Sequence, residues 1–296
     1  MTLMLVDSAS LWYRAYFGMP ESLVSPQGEP VNAIRGYLDM LSRLLIQYRP
    51  NRLVAAIEGD WRPSWRVELF PEYKSNRLAD DGEEEEPDLL TPQIPILLDL
   101  IEEFGIPLVG ADDYEADDVM ATYAANEPGP IRIVTGDRDL FQLVSDEPDV
   151  QMIYLAKGIS NHDLVDRNWV AKKYDIPGDR YGLFATFRGD PSDGLPGVKG
   201  IGEKGAALIA RHYASAEEAI AGAKNGDSHL SPSLQKKIIE GVDYLSFAPK
   251  LVACATDVLL PNVDTTLPKR PKSLEKIYEY KNNLNLGSSV DRLISA

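Results

Sequence analysis

YEADDVMATYAANEPGPIRIVTGDRD, residues 114–139, carries a helix pattern, a stop and a strand pattern, with acids at both ends. Glu115 stands where the helix ADDVMATYAANE begins, and Pro128 and Gly129 stop it. PIRIVTGD then reads as a short apolar strand leading into Asp137, Arg138 and Asp139. Acids near a helix N-terminus are favoured by the helix dipole, and Asp is a common turn residue. Each group alone therefore has an ordinary structural explanation. Two such groups behind strand patterns in an α/β order point instead to a shared site.

The same grammar extends outward. TLMLV runs into Asp7, LVAAI into Glu58 and Asp60, and IPLVG and VQMIYL read as further strands. Between them lie the helix patterns SLWYRAYF, NAIRGYLDMLSRLLIQYR (ending before Pro50) and PQIPILLDLIEEFG (closed by Gly105). This alternation predicts an α/β fold, a mostly parallel sheet flanked by helices on both faces. From about Val165 the pattern turns helical, and KSLEKIYEYKNNL reads as a late helix. In an open α/β sheet the carboxyl ends of the strands form one rim. Asp7, Asp60, Glu115, Asp117, Asp118, Asp137 and Asp139, with Asp190 and Asp193 of RGDPSD, are thus expected around one cleft. Crowded carboxylates raise each other's pKa unless a cation compensates them, and oxygen donors suit Mg²⁺ or Mn²⁺. The expected chemistry is metal-dependent phosphodiester hydrolysis, with two ions and room in the acid count for a third.

Bulk properties narrow the class. A length of 296 residues with 44% hydrophobic and 26% charged residues suits a soluble protein with a real core. No apolar run is long enough to span a bilayer and MTLMLVDSAS lacks signal-peptide character, so no membrane partner and a cytoplasmic location are expected. The lone Cys254 precludes an internal disulfide, and three scattered histidines argue against zinc. The net charge of −16 looks wrong for a nucleic-acid partner. Its distribution removes the conflict. Seven acids lie in the run DDGEEEEPD and nine are the site candidates; the 30 left match the 30 Lys and Arg.

Three further segments carry polar chemistry. Tyr13 and Arg14 follow Asp7 on one helix, where Arg can clamp a phosphate and Tyr can stack on a base. WRPSWRVELFPEYKSNR supplies Arg62, Arg66, Tyr73, Lys74 and Arg77 ahead of the acidic run, and residues 74–92 read as a loop by composition. In GLPGVKGIGEKGAALIARHY, Gly200, Gly202 and Gly205 permit a tight hairpin before a helix starting near Glu203. Backbone N–H groups there, with Lys199 and Lys204, suit a DNA backbone. The G-x-x-x-x-G-K-[ST] nucleotide loop is missing.

These motifs, in this order, resemble the 5′-nuclease (flap endonuclease) family, in particular the N-terminal 5′-3′ exonuclease domain of bacterial DNA polymerase I and its stand-alone relatives. The match runs from LVDSASLWYRAYF through ELFPEYKSNR, YEADDVMAT and TGDRDLFQLV to GDPSDGLPGVKGIGEKGA, nearly the whole chain. The resemblance implies a PIN-like nuclease core over 1–175 with an arch at 74–92. It implies a helical region over 176–260 with a helix-three-turn-helix at 194–212, and a tail over 261–296 packing back on the core. It puts Asp7, Glu115, Asp117, Asp118, Asp137, Asp139, Asp190 and Asp193 on metal positions, Arg14, Lys74 and Arg77 on catalytic phosphate-facing positions, and Tyr13 beside a base. K⁺ in the helix-three-turn-helix is implied too. The implied activity is 5′-3′ exonuclease and 5′-flap endonuclease on DNA with flaps, nicks or 5′ ends, RNA-primed ends among them, in replication and repair. The expected form is a free-standing monomer at the bacterial nucleoid.

Glu58 and Asp60 straddle the family's spacing for the aspartate after the second strand, and Asp60 is favoured. Gly194 stands where relatives more often carry Asn. The acidic arch should repel a DNA strand. Other readings fare worse: a haloacid-dehalogenase-type phosphatase needs a second Asp where Ala9 stands. A non-catalytic DNA-binding protein gains nothing from clustered acids, and a PIN-type ribonuclease is disfavoured by the hairpin grip.

Overall fold

In the central strands, alternate residues serve two different cores, as the period of two requires. Leu3, Leu5, Val54, Ala56, Ile131 and Ile133 face one core. Met4, Val6, Leu53, Ala55 and Val134 face the other. The computed structural model describes residues 1–79, 82 and 84–296; Asp80, Asp81 and Glu83 of the acidic run lie outside the described residues.

The sheet contains β1 (Leu3–Asp7), β2 (Arg52–Ala56), β3 (Leu108–Val109), β4 (Ile131–Thr135), β5 (Ser145–Asp146), β6 (Asp149–Tyr154) and β7 (Asp163–Val165). Their order is β3-β2-β1-β4-β6-β5, with β7 also on β6. β1 pairs in parallel with β2 and β4, β2 with β3, and β4 with β6. Only β5 and β7 run antiparallel to β6. The mostly parallel sheet read from the sequence is therefore present, and burial on both faces accounts for its nearly continuous apolar strands.

One face carries α1 (Ser8–Gly18), α2 (Asn32–Tyr48) and, after the short α3 (Ser64–Leu69), α4 (Gln93–Glu103). The other carries α5 (Ala116–Asn126), α6 (Arg167–Tyr174), α7 (Tyr181–Arg188) and α8 (Glu203–His212). Beyond them follow α9 (Ala216–Lys224), α10 (Pro232–Glu240), α11 (Val242–Leu245) and α12 (Ala248–Val252). The last helices, α13 (Leu274–Asn283) and α14 (Ser289–Ile294), contact α4 and α2 respectively. Ile277, Val290 and Leu293 sink into the α1/α2 core. A fully buried side chain of this size contributes about 1.5–3 kcal/mol.

Two glycines fix the loop between α7 and α8. Gly189, at φ +80°, lies so close to the returning chain that a Cβ would sit 2.4 Å from the Gly197 nitrogen. Gly194 is left-handed at φ +72°, and a Cβ there would lie 2.7 Å from the Glu72 carbonyl oxygen. Gly and Asn tolerate that conformation best, so Gly in place of Asn is a conservative exchange. The close approach lets residues 190–194 grip the basic segment: Lys74 N–H donates to the Asp193 carbonyl at 2.9 Å and Arg77 Nε to the Ser192 carbonyl at 3.2 Å.

Candidate active site

Parallel register sets the site. Asp7 is the last residue of β1, and Glu58 and Asp137 stand two residues beyond the ends of β2 and β4. All three therefore reach the same rim. There a cleft of about 1740 Å³ is lined by Asp7, Glu58, Glu115, Asp117, Asp137 and Asp193. Tyr13, Arg14, Lys74 and Arg77 line it too. A recess of about 30 Å³ below joins Asp117 and Asp193 to Asp139 and Asp190, with Cys254 on its wall.

Asp7 caps α1: its carboxylate accepts from Ser10 N–H at 2.9 Å, Ser10 Oγ at 2.5 Å and Thr135 Oγ1 at 2.8 Å. Burial still raises its pKa, and Asp137 adds to the effect. Glu58 accepts from the Ala116 N–H at 2.7 Å. Burial and then the Glu115 charge push it up to about 8, against Lys74. Asp117 is driven well above the carboxylate range by burial and by Asp137 and Asp7. Asp139 is raised in the same way by burial and by Asp137 and Asp190, and its Oδ1 is buried without a hydrogen-bond partner. Asp193 is pushed up to about 6 by burial, which outweighs Lys74 and Arg77.

Two expected ligands sit elsewhere. Gly59 and Asp60 both donate their N–H groups to the Tyr114 carbonyl, and the Asp60 carboxylate accepts from Arg62 N–H at 2.8 Å. The cleft is lined by Glu58, and Asp60 lies outside it. Asp118 is fully buried and bound by Arg66 through two bonds of 2.7 and 2.8 Å. It also accepts from Ala255 N–H at 2.7 Å and from Glu115 N–H at 3.2 Å. Successive helix residues point about 100° apart, so Asp118 faces the interior while Asp117 faces the cleft. Asp118 is thus bonded into the interior and is not among the residues lining the cleft.

The remaining acids differ in how far protein cations satisfy them. Glu115 is bonded by Arg66 at 3.0 Å, by the Tyr73 hydroxyl at 2.7 Å and by Lys74 Nζ. Burial opposes its ionisation, but Lys74 and Arg66 hold it below the usual range. Asp190 accepts from Ser192 N–H at 2.9 Å and meets Arg138 at 3.1 Å and Arg188 at 3.2 Å. These contacts overcome burial and keep its pKa low. Asp193 pairs with Arg77 at 2.7 Å.

In the same cleft Arg14 is half-buried, its Nε has no hydrogen-bond partner, and burial lowers its pKa. A guanidinium in that state awaits an anion. Lys74 is 6% exposed and tied to Glu115 and to the Trp61 carbonyl at 3.2 Å. Lys199, Gly200, Gly202 and Lys204 are exposed around the start of α8, away from the cleft wall. There Gly200 takes φ +78° and its carbonyl accepts from Lys237 Nζ at 2.8 Å, so Lys237 is an addition to this patch. Sequence reasoning also left Arg66 unassigned, because its partners lie 49 and 52 residues away.

Divalent cations fit this donor set: oxygen-only, negative in excess, with a buried carboxylate oxygen left unpartnered. Among the described residues no three such side chains close on one point by themselves, as uncompensated carboxylates would not.

Comparison with known proteins agrees with this fold. The 5′-3′ exonuclease N-terminal resolvase-like domain matches residues 2–175, and the 5′-3′ exonuclease C-terminal SAM fold matches residues 176–285. A 5′-3′ exonuclease of Streptomyces coelicolor is 45% identical, with 99% of each chain covered. One of Mycobacterium tuberculosis is 40% identical over 99% of this chain and 97% of its own. A Mycobacterium bovis DNA polymerase I is 34% identical over 99% of this chain but only 31% of its own. A bacteriophage T5 flap endonuclease solved as a pseudo-enzyme-product complex with DNA and metal ions superposes with a TM-score of 0.66 at 18% identity, covering 85% of this chain and 89% of that one. The catalytic core of Rad2 with a DNA substrate gives 0.57 at 18%, covering 99% and 91%.

Proposed function

The chain belongs to the 5′-3′ exonuclease family, and from that membership we propose a divalent-metal-dependent, structure-specific 5′ nuclease that hydrolyses DNA phosphodiesters in replication and repair. One observation carries the reading: the acids on the ends of three parallel strands line one cleft together with Arg14, Lys74 and Arg77. A phosphodiester in that cleft would lie between bound cations and protein cations.

Asp7, Glu58, Glu115, Asp117, Asp137, Asp139 and Asp193 would hold two Mg²⁺ or Mn²⁺ ions directly or through water. Asp190, satisfied by Arg138 and Arg188, would orient the recess beneath. When bound, such ions supply a Lewis-acidic centre for attack by water and for the departing 3′ oxygen. The protein's own part is positioning and charge. Arg14 would clamp the scissile phosphate through free guanidinium donors. Lys74, fixed by Glu115, would add charge against the pentavalent transition state. Arg77 and Tyr13 would hold the adjoining nucleotide. The exposed start of α8, with Lys199, Gly200, Gly202 and Lys204, would grip duplex backbone without reading sequence, and a K⁺ ion suits its turn. The enzyme would act as a monomer in the cytoplasm on flaps, nicks and 5′ ends, RNA-primed ones included.

The test is cleavage of a 5′-labelled flap and of a nicked duplex with Mg²⁺, Mn²⁺ or EDTA. Metal-dependent release of flap oligonucleotides or of mononucleotides supports the reading and apportions endonuclease against exonuclease. Binding of both DNAs with no cut in either metal would refute it.

A further inference from the structure

The described acids of the run DDGEEEEPD do not extend away from the cleft. Glu84, Glu85, Glu86 and Asp88 all line it. They are held there by backbone pairing and by one side-chain hydrogen bond. Leu78 and Glu84 form an antiparallel bridge, Glu85 N–H donates to the Arg77 carbonyl at 2.8 Å, and Thr91 Oγ1 donates to Glu86 at 3.2 Å. Two carboxylates thereby meet groups placed above on the substrate's side. Glu84 lies 3.8 Å from the Arg77 guanidinium, and Glu86 accepts from the Tyr13 hydroxyl at 3.4 Å.

Further negative charge beside Glu115, Asp117 and Asp193 adds like-charge repulsion that costs stability. A single strand passing over Arg77 and Tyr13 must displace Glu84 and Glu86 and run beside Glu85 and Asp88. A phosphate bound at Arg77 or Tyr13 would lie within a Debye length, about 8–10 Å, of Glu84 and Glu86 and would feel the repulsion. A nicked 5′ end brings fewer phosphates into the same space.

We propose that Glu84 and Glu86 are specificity-determining residues that stand in for phosphates on Arg77 and Tyr13, making the cleft discriminate against long 5′ single strands and in favour of nicked or short 5′ ends. The inference rests on the proposed nuclease reading and assigns that site a substrate preference.

The experiment measures Kd and KM for a long 5′ flap and for a nicked duplex with the wild type, E84Q/E86Q and a control, E275Q/E279Q. Glu275 and Glu279 are exposed on α13, outside the cleft, and their replacement makes the same change in net charge. E84Q/E86Q should tighten flap Kd and lower flap KM by about fivefold, with nick values unchanged and the control like wild type. An unchanged flap Kd, an equal gain on both DNAs or an equal gain in the control would overturn the proposal. Failure of the nuclease reading shows separately, as a wild type that cuts neither DNA, while the Kd ratios still report on Glu84 and Glu86.

Discussion

Asp117 and Asp118 are neighbours in the sequence and opposites in the fold. Asp118 is locked by Arg66 with full hydrogen bonding, in a knot that also holds Glu115, Tyr73 and Lys74. Asp117 faces a cleft where burial, then Asp137 and Asp7, raise its pKa, and among the described residues no cation forms an ion pair with it. The knot balances its acids with protein cations, and the cleft gathers acids that repel one another. What separates them is a partner supplied by a distant segment, not residue type or local motif.

The contrast can be broken by substitution. Asp117→Asn should reduce kcat by about 10³-fold or more with an unchanged or raised Tm, because a repelled charge is removed. A fully active Asp117→Asn enzyme would remove Asp117 from the site. Arg66→Ala should give the reverse, a loss of about 3–5 kcal/mol in denaturant unfolding, since it strands the buried carboxylate of Asp118. An unchanged midpoint would mean the knot contributes nothing.

Cation addition sharpens the same contrast. Mg²⁺ or Mn²⁺ at 100 times its Kd should stabilise the wild type by about 2.7 kcal/mol, and Asp117→Asn should cut most of that gain in a thermal scan with and without EDTA. The pH dependence follows in sign. Glu58, pushed up to about 8, and Asp193, pushed up to about 6, bind protons more tightly folded than unfolded. Their stabilisation is complete below the unfolded carboxylate value and is lost as pH rises through 6 and then 8. In EDTA, Tm should fall across that window, and saturating metal should flatten the slope. A flat profile in EDTA would contradict the burial assigned to Glu58. The smallest effect is expected at the α8 patch, where Lys199→Ala or Lys204→Ala should weaken duplex binding alike for all sequences and lower the salt slope by about one.

The fold was largely legible because strand, helix and stop signals are local. TLMLV, LVAAI and PIRIVTGD each became a parallel strand, and the helix start near Glu203 was marked by its glycines. Which acids face the cleft was legible only where a strand end fixed direction, as for Asp7 and Asp137. After β2 the direction depends on two N–H groups bonding Tyr114, so Glu58 rather than Asp60 reaches the cleft. The inward direction of Asp118 is hidden for the same reason, its partner Arg66 being 52 residues away. The acidic run was read as a loop from composition alone. Its place against Tyr13 and Arg77 depends on backbone pairing that composition does not encode.

The bond from Thr135 to Asp7 joins residues 128 positions apart, and that from Arg77 to Asp193 spans 116. At roughly 5–20 residues per second of synthesis, a nascent chain spends many seconds with some acids made and the rest still absent. No prefix ending before residue 193 can assemble the cleft described above. The order of synthesis therefore makes the rim of the cleft one of the last features of the fold to be complete, after most of the polypeptide exists.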